Sequence, residues 1–353
     1  AGSDRRRRPR HETPRERRAF VIAEWSRVLE ILEDQGRVAR VVVVATRGST
    51  PREIGAALLV RRDLGFRGTI GGGALEWRAL RLAWQALGEG AAAVTLHDVV
   101  LGPDLGQCCG GRVTLGIGVL DESDLATVRR LAAREAEGPF FTEARIEGGR
   151  LVRDVVVDPG APGLRADGTW VERFGDDRRP LFLFGAGHVG RALTLALAPL
   201  PFRVEWIDGR DDAFPAAHPA NATCRVVPDP VAAFAAMPAG AFVLAMTHDH
   251  ALDLAIVDAA LRRPDLPHVG VIGSKTKRAR FVSRLLEMGH TEAAIRRMVM
   301  PVGAGGPRSK SPAVIAAAVA LELLVLDEAA RETDRETDRA ASRASARMSG
   351  VGA

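Results

Sequence analysis

From Pro180 onward the chain repeats one pattern, a short apolar run followed by a helix-patterned stretch. The runs are PLFLF, FRVEWID, CRVV, AFVLAMT and HVGVIG. Strands covered on both faces read as unbroken apolar runs rather than as alternation, and parallel neighbours need a connection long enough to hold a helix. Few architectures satisfy both conditions. The pattern predicts a Rossmann-like doubly wound parallel-sheet domain over residues 176–329. Its last helix, SPAVIAAAVALELLVLDEAA, is expected to give way at ETDRETDR to a disordered, charge-balanced tail over 330–353.

The first half lacks that regularity. FVIAEWSRVLEILEDQG carries Val21, Trp25, Val28 and Ile31 or Leu32 at helical spacing, with Gly36 as its stop. Buried strands VVVVAT and AALLV follow, then a glycine-rich turn that opens a helix near Ala74. AAAVTLHDVV and GRVTLGIGVL read as strands, residues 122–136 as helix, and the stretch to about 175 as strands and hairpins. An N-terminal mixed α/β domain over 20–175 is therefore expected, which makes the whole chain α/β in two domains, in keeping with its 353 residues.

Charge separates the N-terminus from the rest. Residues 1–18 hold eight Arg against Asp4, Glu12 and Glu16, a surplus of five that equals the net charge of the whole chain. Residues 1–19 are read as a disordered basic tail rather than a nucleic-acid surface. They lead into no apolar segment of the signal-peptide kind, and no apolar run approaches the roughly 20 residues of a membrane span. A cytoplasmic protein with no membrane partner is expected. Three cysteines make no disulfide framework, so any role a cysteine has is expected to be chemical rather than structural.

Several stretches point to ligands. Gly185, Gly187 and Gly190, with His188 among them, form GxGxxG directly after a strand and at the start of a helix, the arrangement that admits a phosphate to a helix N-terminus. Asp208 follows 18 residues later at the end of the next strand, placed to accept a ribose hydroxyl of NAD(P) or another nucleotide. His248 and His250 follow the fourth strand; they suit a phosphate contact, a metal completed by Asp249 or Asp253, or surface positions beside a helix capped by Thr247 or Asp249. Ser274, Lys275 and Lys277 open the next helix and suit an anion. The chain has only three lysines, the third being Lys310, and all three stand close behind glycine-bearing turns.

In the first domain, Gly71, Gly72 and Gly73 form a second candidate anion cradle, with Arg47, Ser49, Thr50 and Arg52 nearby in RGSTPRE. Gln107, Cys108 and Cys109 lie in LGPDLGQCCGG. Thiols between glycines have accessible sulfur and free amides to favour the thiolate, a soft metal ligand; the alternative is two small residues in a turn, with or without a strained vicinal disulfide. Cys224 begins an apolar strand and is read as inert core. No Ser-nucleophile elbow, Walker loop, HExxH or CxxC occurs.

Taken in order, GSTPREIGAALLV, GTIGGGALEW, LGPDLGQCCGG, LFLFGAGHVG, WIDGRDDAFP, MTHDHALDLAIV and VGVIGSKTKRARF resemble the XdhC/CoxI family, accessory proteins of xanthine dehydrogenase and related molybdenum hydroxylases, over about residues 20–325. Ala74 stands where the CoxI branch tends to carry cysteine, which favours the XdhC branch. The resemblance implies a chaperone for molybdenum cofactor, in the molybdopterin form with or without a nucleotide extension. Such a protein binds and protects the cofactor, supports its sulfuration with a cysteine desulfurase, and delivers it to the molybdenum subunit of xanthine dehydrogenase, acting as a homodimer. It implies that Cys108 or Cys109, with Gln107, meets the molybdenum, and that the turn at 71–73, or Lys275 and Lys277, holds the pterin phosphate. The competing expectation is an NAD(P)-dependent oxidoreductase built on the GAGHVG turn and Asp208.

Overall fold

The computed structural model describes residues 24–88, 94–102, 110–157 and 159–349, with side chains through 332. The chain divides into two compact units between Asp177 and Arg178.

In the first unit, α1 (Glu24–Gln35) leads into β1 (Arg37–Arg47), β2 (Ala57–Arg61) and β3 (Phe66–Gly68). Then come α2 (Gly73–Gly88), β4 (Val94–Val100), β5 (Arg112–Asp121) and α3 (Leu125–Glu137). The strands form an antiparallel sheet in the order β3-β2-β1-β5-β4. Four more strands, β6 (Phe140–Glu147), β7 (Arg150–Val156), β8 (Gly163–Leu164) and β9 (Trp170–Phe174), make a second sheet in the order β7-β6-β9-β8.

β1 explains why its sequence reads as a run of valines. Ala39, Val41 and Val43 pack against Leu75, Ala79, Leu80 and Ala83 of α2, while Val38, Val42 and Val44 are covered from the other side by α1, α3 and Trp170 of β9. Two covered faces remove the period-two alternation of a half-exposed strand. Arg40 interrupts the run and stays buried, paired with Glu24 of α1 and Glu172 of β9. On β5, a Cβ at Gly116 would overlap the Trp170 indole, so this strand approaches the second sheet through a glycine. The amphipathic helix predicted from Trp25, Val28, Ile31 and Leu32 is α1, and all four are buried; Val21 lies outside the described residues.

The second unit contains β10 (Arg179–Phe184), α4 (His188–Ala196), β11 (Phe202–Asp208), β12 (Ala222–Val226), β13 (Phe242–Ala245), α5 (His250–Leu261), β14 (His268–Val271), α6 (Lys275–Glu287), α7 (Glu292–Arg296), β15 (Met298–Val299) and α8 (Pro312–Ser349). Its six strands are all parallel, in the order β12-β11-β10-β13-β14-β15. That is the Rossmann order, reversing direction between β10 and β13. The α/β class and the doubly wound parallel sheet are as the sequence predicts.

One boundary differs. The last helix does not give way near residue 330 but continues to Ser349. From Ala313 to Ser349 the sequence has no glycine or proline, and Glu332/Arg335 and Glu336/Arg339 stand at helical i,i+3 spacing, so a polar low-complexity composition is also a good helix composition. No helix among the described residues is long and apolar enough to cross a membrane.

Candidate functional site

Antiparallel pairing decides what gathers in the first unit. β1 ends at Arg47 opposite Arg112, where β5 begins; β4 ends at Val100 opposite the same Arg112; and β2 begins at Ala57 beside the end of β3. The RGSTPRE loop, the glycine turn and the cysteine loop therefore all leave one end of the sheet. Contacts bear this out. Glycine is required at position 111, because a Cβ there would overlap the Ser49 carbonyl oxygen, and at 71, because a Cβ would stand 2.5 Å from Pro51 Cγ. The Leu101 N–H donates to the Gly111 carbonyl at 2.8 Å, so the hairpin is paired up to the cysteine loop. Gln107, Cys108 and Cys109 themselves lie outside the described residues.

Arg47 is exposed at this end, and Arg112 and Arg52 are half to one-third exposed. Arg52 reaches Glu53, Arg112 lies 3.6 Å from Asp98, and Arg47 has no ion pair among the described residues.

The glycine turn is built differently from an open anion cradle. Gly71, Gly72 and Gly73 all have positive φ, and that geometry turns the amides of Ile70 and Gly72 inward. Glu76, in the first turn of α2, fills the space: its Oε2 accepts from Thr69 Oγ1 at 2.8 Å and from the Ile70 and Gly72 N–H groups at 3.2 Å each. The Gly71 N–H donates to Thr69 Oγ1. A carboxylate of the chain already sits where the sequence suggested a phosphate. Glu76 was not singled out from the sequence, although an acid four residues after a glycine that precedes a helix was the available signal.

In the second unit, the ends of β10, β11, β13 and β14 bring Gly185–Gly190, Asp208, Thr247–His250 and Ser274–Lys277 to the C-terminal edge of the parallel sheet. This is where open α/β sheets bind ligands. Gly185 has φ +112°, and a Cβ there would overlap the Met246 carbonyl oxygen, so the loops after β10 and β13 touch at the point where strand order reverses. Gly190 lets α4 lie against the Gly185 carbonyl, and Gly187 caps α4 with open space where its Cβ would be. His188, His248 and His250 are exposed at this edge.

Two residues offered for ligands are bound by the chain. Asp208 accepts from the Ala186 N–H at 2.8 Å, from the Arg210 N–H at 3.1 Å, and from Arg210 Nε and Nη2 at 2.9 Å each. Burial opposes its ionisation, but the Arg210 and backbone hydrogen bonds outweigh burial and hold the carboxyl at about 2. Lys277 donates to Asp253 Oδ2 at 2.6 Å and to the Ile272 carbonyl at 3.0 Å, and lies over the Phe281 ring. Asp253, fully buried, also accepts from Thr247 Oγ1 and N–H. Lys277 is thus a strut between the β14–α6 turn and α5. Ser274 caps α6 through the Lys277 N–H, and Lys275 stands exposed at the helix start. Asp249 caps α5, accepting from Ala251 and Leu252. Lys310 is exposed in the loop before α8, and Cys224 is half-buried on the edge strand β12 with its thiol pushed up by burial. No group of three or more His, Cys, Asp or Glu is arranged to hold a metal ion among the described residues.

The family model described as XdhC and CoxI matches residues 31–98, and that of the XdhC Rossmann domain matches residues 181–323, together more than half of the chain. The chain belongs to the XdhC and CoxI family. A relative in Escherichia coli K12, the uncharacterised protein YqeB, is 28% identical over 304 residues. That match takes in 83% of this chain but 44% of YqeB, so the chain spans less than half the length of that relative. A crystal structure described as a xanthine dehydrogenase from Bacillus halodurans superposes with a TM-score of 0.69 at 19% identity, over 87% of this chain and 96% of that one, and shares the fold. Within the XdhC and CoxI match lie the RGSTPRE loop and the Gly71–Gly73 turn, and within the Rossmann match lie Gly185–Gly190, Asp208, His248, His250 and Ser274–Lys277; Cys108 and Cys109 fall between the two.

Proposed function

We propose that this XdhC-family chain is an accessory protein that binds molybdenum cofactor and passes it to a xanthine dehydrogenase. The observation that carries the reading is the convergence of three loops at one end of the first sheet, with the cysteine segment bracketed by Gly102 and Gly110. The residues at that end fit such a group. Gly111 and Gly71 are glycines that keep side chains out of the loop contacts, and Arg47, Arg52 and Arg112 supply positive charge for a phosphate. Bound there, the cofactor would supply the molybdenum centre for the recipient enzyme's hydroxylation chemistry.

The chain's own part is to hold and shield. Cys108 or Cys109, with Gln107 beside them, offers soft sulfur to the metal end. Arg47, Arg52 and Arg112 take the phosphate role first read into Gly71–Gly73 and Lys277, whose amides and ammonium are spent on Glu76 and Asp253. A cysteine desulfurase would be the partner while the cofactor is held, and the molybdenum subunit of the dehydrogenase would receive it. The homodimer and the cytoplasmic setting belong to the same proposal.

At the Rossmann edge the reading is a nucleotide, as an extension of the cofactor or as a separate NAD(P)-type ligand. Gly187 leaves the α4 N-terminus open to a phosphate. With Asp208 engaged, Arg210 rather than a free carboxylate faces the ligand, which favours an anionic contact over a ribose diol. The same turn is what an NAD(P)-dependent oxidoreductase would use.

Reconstitution tests the transfer. The chain, loaded with released cofactor, is mixed with apo-xanthine dehydrogenase in the presence of a cysteine desulfurase, and urate formation is followed. The expected result is activation well above that given by free cofactor at the same concentration. Activation no better than free cofactor, together with NADPH oxidation by the chain alone, would favour the oxidoreductase.

A further inference from the structure

A pocket of about 280 Å³ lies within the first unit, on the face of the five-stranded sheet away from α2, and no part of the reading above uses it. Its lining includes Trp25, Trp170, Gly118, Arg40, Arg153 and Arg130 of α3, and two carboxylates as well, Asp124, which is paired with Arg150, and Asp154. The volume stands at the small end of ligand pockets, about 300–1,000 Å³.

Two features distinguish it from a packing void. The first is its charge chemistry. Arg40 and Arg153 are 5% and 4% exposed in their side chains and share one buried carboxylate, Glu172, at 2.6 Å each. Arg40 also pairs with Glu24, and Arg153 donates to Thr142 Oγ1 at 2.8 Å. Arg40 Nη1 and Arg153 Nε and Nη2 then have no hydrogen-bond partner among the described residues. None of these three nitrogens is sealed from solvent, so they open on the pocket, and two guanidiniums set against the same Trp25 and Phe174 rings repel one another. Burial and the neighbouring Arg40 charge pull Arg153 below the usual guanidinium range. Glu24 and Glu172 offset the two charges, and an anion entering the pocket would take up the remaining N–H groups.

The second feature is room made by the sequence. β5 carries glycine at 118 without a positive φ, and a Cβ there would meet only Val94 Cγ2, at an ordinary 3.5 Å. Nothing in the backbone requires this glycine. Its effect is to leave space beside two indoles, a surface suited to a flat ring.

We propose that this pocket binds a small ring compound carrying a carboxylate, seated with the carboxylate against Arg40 and Arg153 and the ring between Trp170, Trp25 and the Gly118 wall. Gly118 stands six residues along β5 from Arg112, about 20 Å from where the cysteine loop ends, so the site is separate from the one proposed for the cofactor.

Isothermal titration calorimetry on the full chain tests it, with 2-naphthoate as the carboxylate probe and 2-naphthalenemethanol as its neutral counterpart. The expected result is saturable binding of naphthoate and at least about tenfold weaker binding of the alcohol. Gly118→Leu should weaken naphthoate binding by about tenfold or more with an unchanged or raised melting temperature. Gly118→Ala, which adds one methyl in ordinary contact with Val94, should weaken it by less and decides the matter if the leucine variant does not melt cooperatively. No saturable heat with the wild type, equal binding of acid and alcohol, or unchanged affinity in a cooperatively melting Gly118 variant would overturn the proposal.

Discussion

Lys277 shows how a single side chain can change role between sequence and structure. At the start of a helix after a glycine it reads as a phosphate ligand, but its ammonium is spent on Asp253, which has no exposure to solvent. Removing one member of a buried pair leaves the other uncompensated. Lys277→Met is therefore expected to destabilise the chain by about 3 kcal/mol in urea denaturation, a cost a mere ligand contact would not carry. A wild-type-like midpoint would return Lys277 to the ligand role. Asp208 makes a different prediction, because its carboxyl is held near 2 against an unfolded value of about 4. A depressed acid contributes stability that is fully present above the unfolded value and is lost as pH falls through the folded one. Since the partner Arg210 is half exposed, the contribution is about 1 kcal/mol. Asp208→Asn should lower stability by that amount at pH 7 and by nearly nothing at pH 2, and an equal loss at both would show that the ion pair is not its source.

At the level of elements, the glycine turn before α2 shows a cradle closed by its own helix. Glu76 serves the Ile70 and Gly72 amides as an anion would. Glu76→Ala should cost about 1 kcal/mol, and added phosphate should restore part of it by occupying the vacated amides. If phosphate stabilises wild type and variant equally, the turn has no latent anion site. The sequence carried the elements of the Rossmann unit well because its strands are covered on both faces and each GxGxxG glycine answers a close contact, Gly185 with Met246 and Gly190 with the Gly185 carbonyl. It carried the first unit's strands but not their pairing. Arg40 meets Glu172 across well over a hundred residues, and no local pattern marks such a partner. The end of α8 was misread because charged, balanced sequence fits both a solvated coil and a solvated helix.

For the whole molecule, family membership and the α/β architecture follow from matches spread along the chain, while the candidate sites depend on which loops the topology gathers. The first unit collects RGSTPRE, the glycine turn and the ends of the cysteine loop; the second collects the Rossmann turn, Asp208 with Arg210, and the three exposed histidines. What the sequence offered for phosphate at Gly71–Gly73 and Lys277 is engaged within the fold; Glu76 is marked by its place four residues after Gly72, whereas Asp253, 24 residues from Lys277, carries no local mark. The proposal that the cysteine loop holds molybdenum cofactor stands on that gathering. The most direct measurement is molybdenum and pterin content per chain after incubation with released cofactor and gel filtration, for wild type, Cys108→Ala and Cys109→Ala. Stoichiometric retention by the wild type and its loss in one of the two variants is the expected result. Equal retention by all three, or none by the wild type, would contradict it.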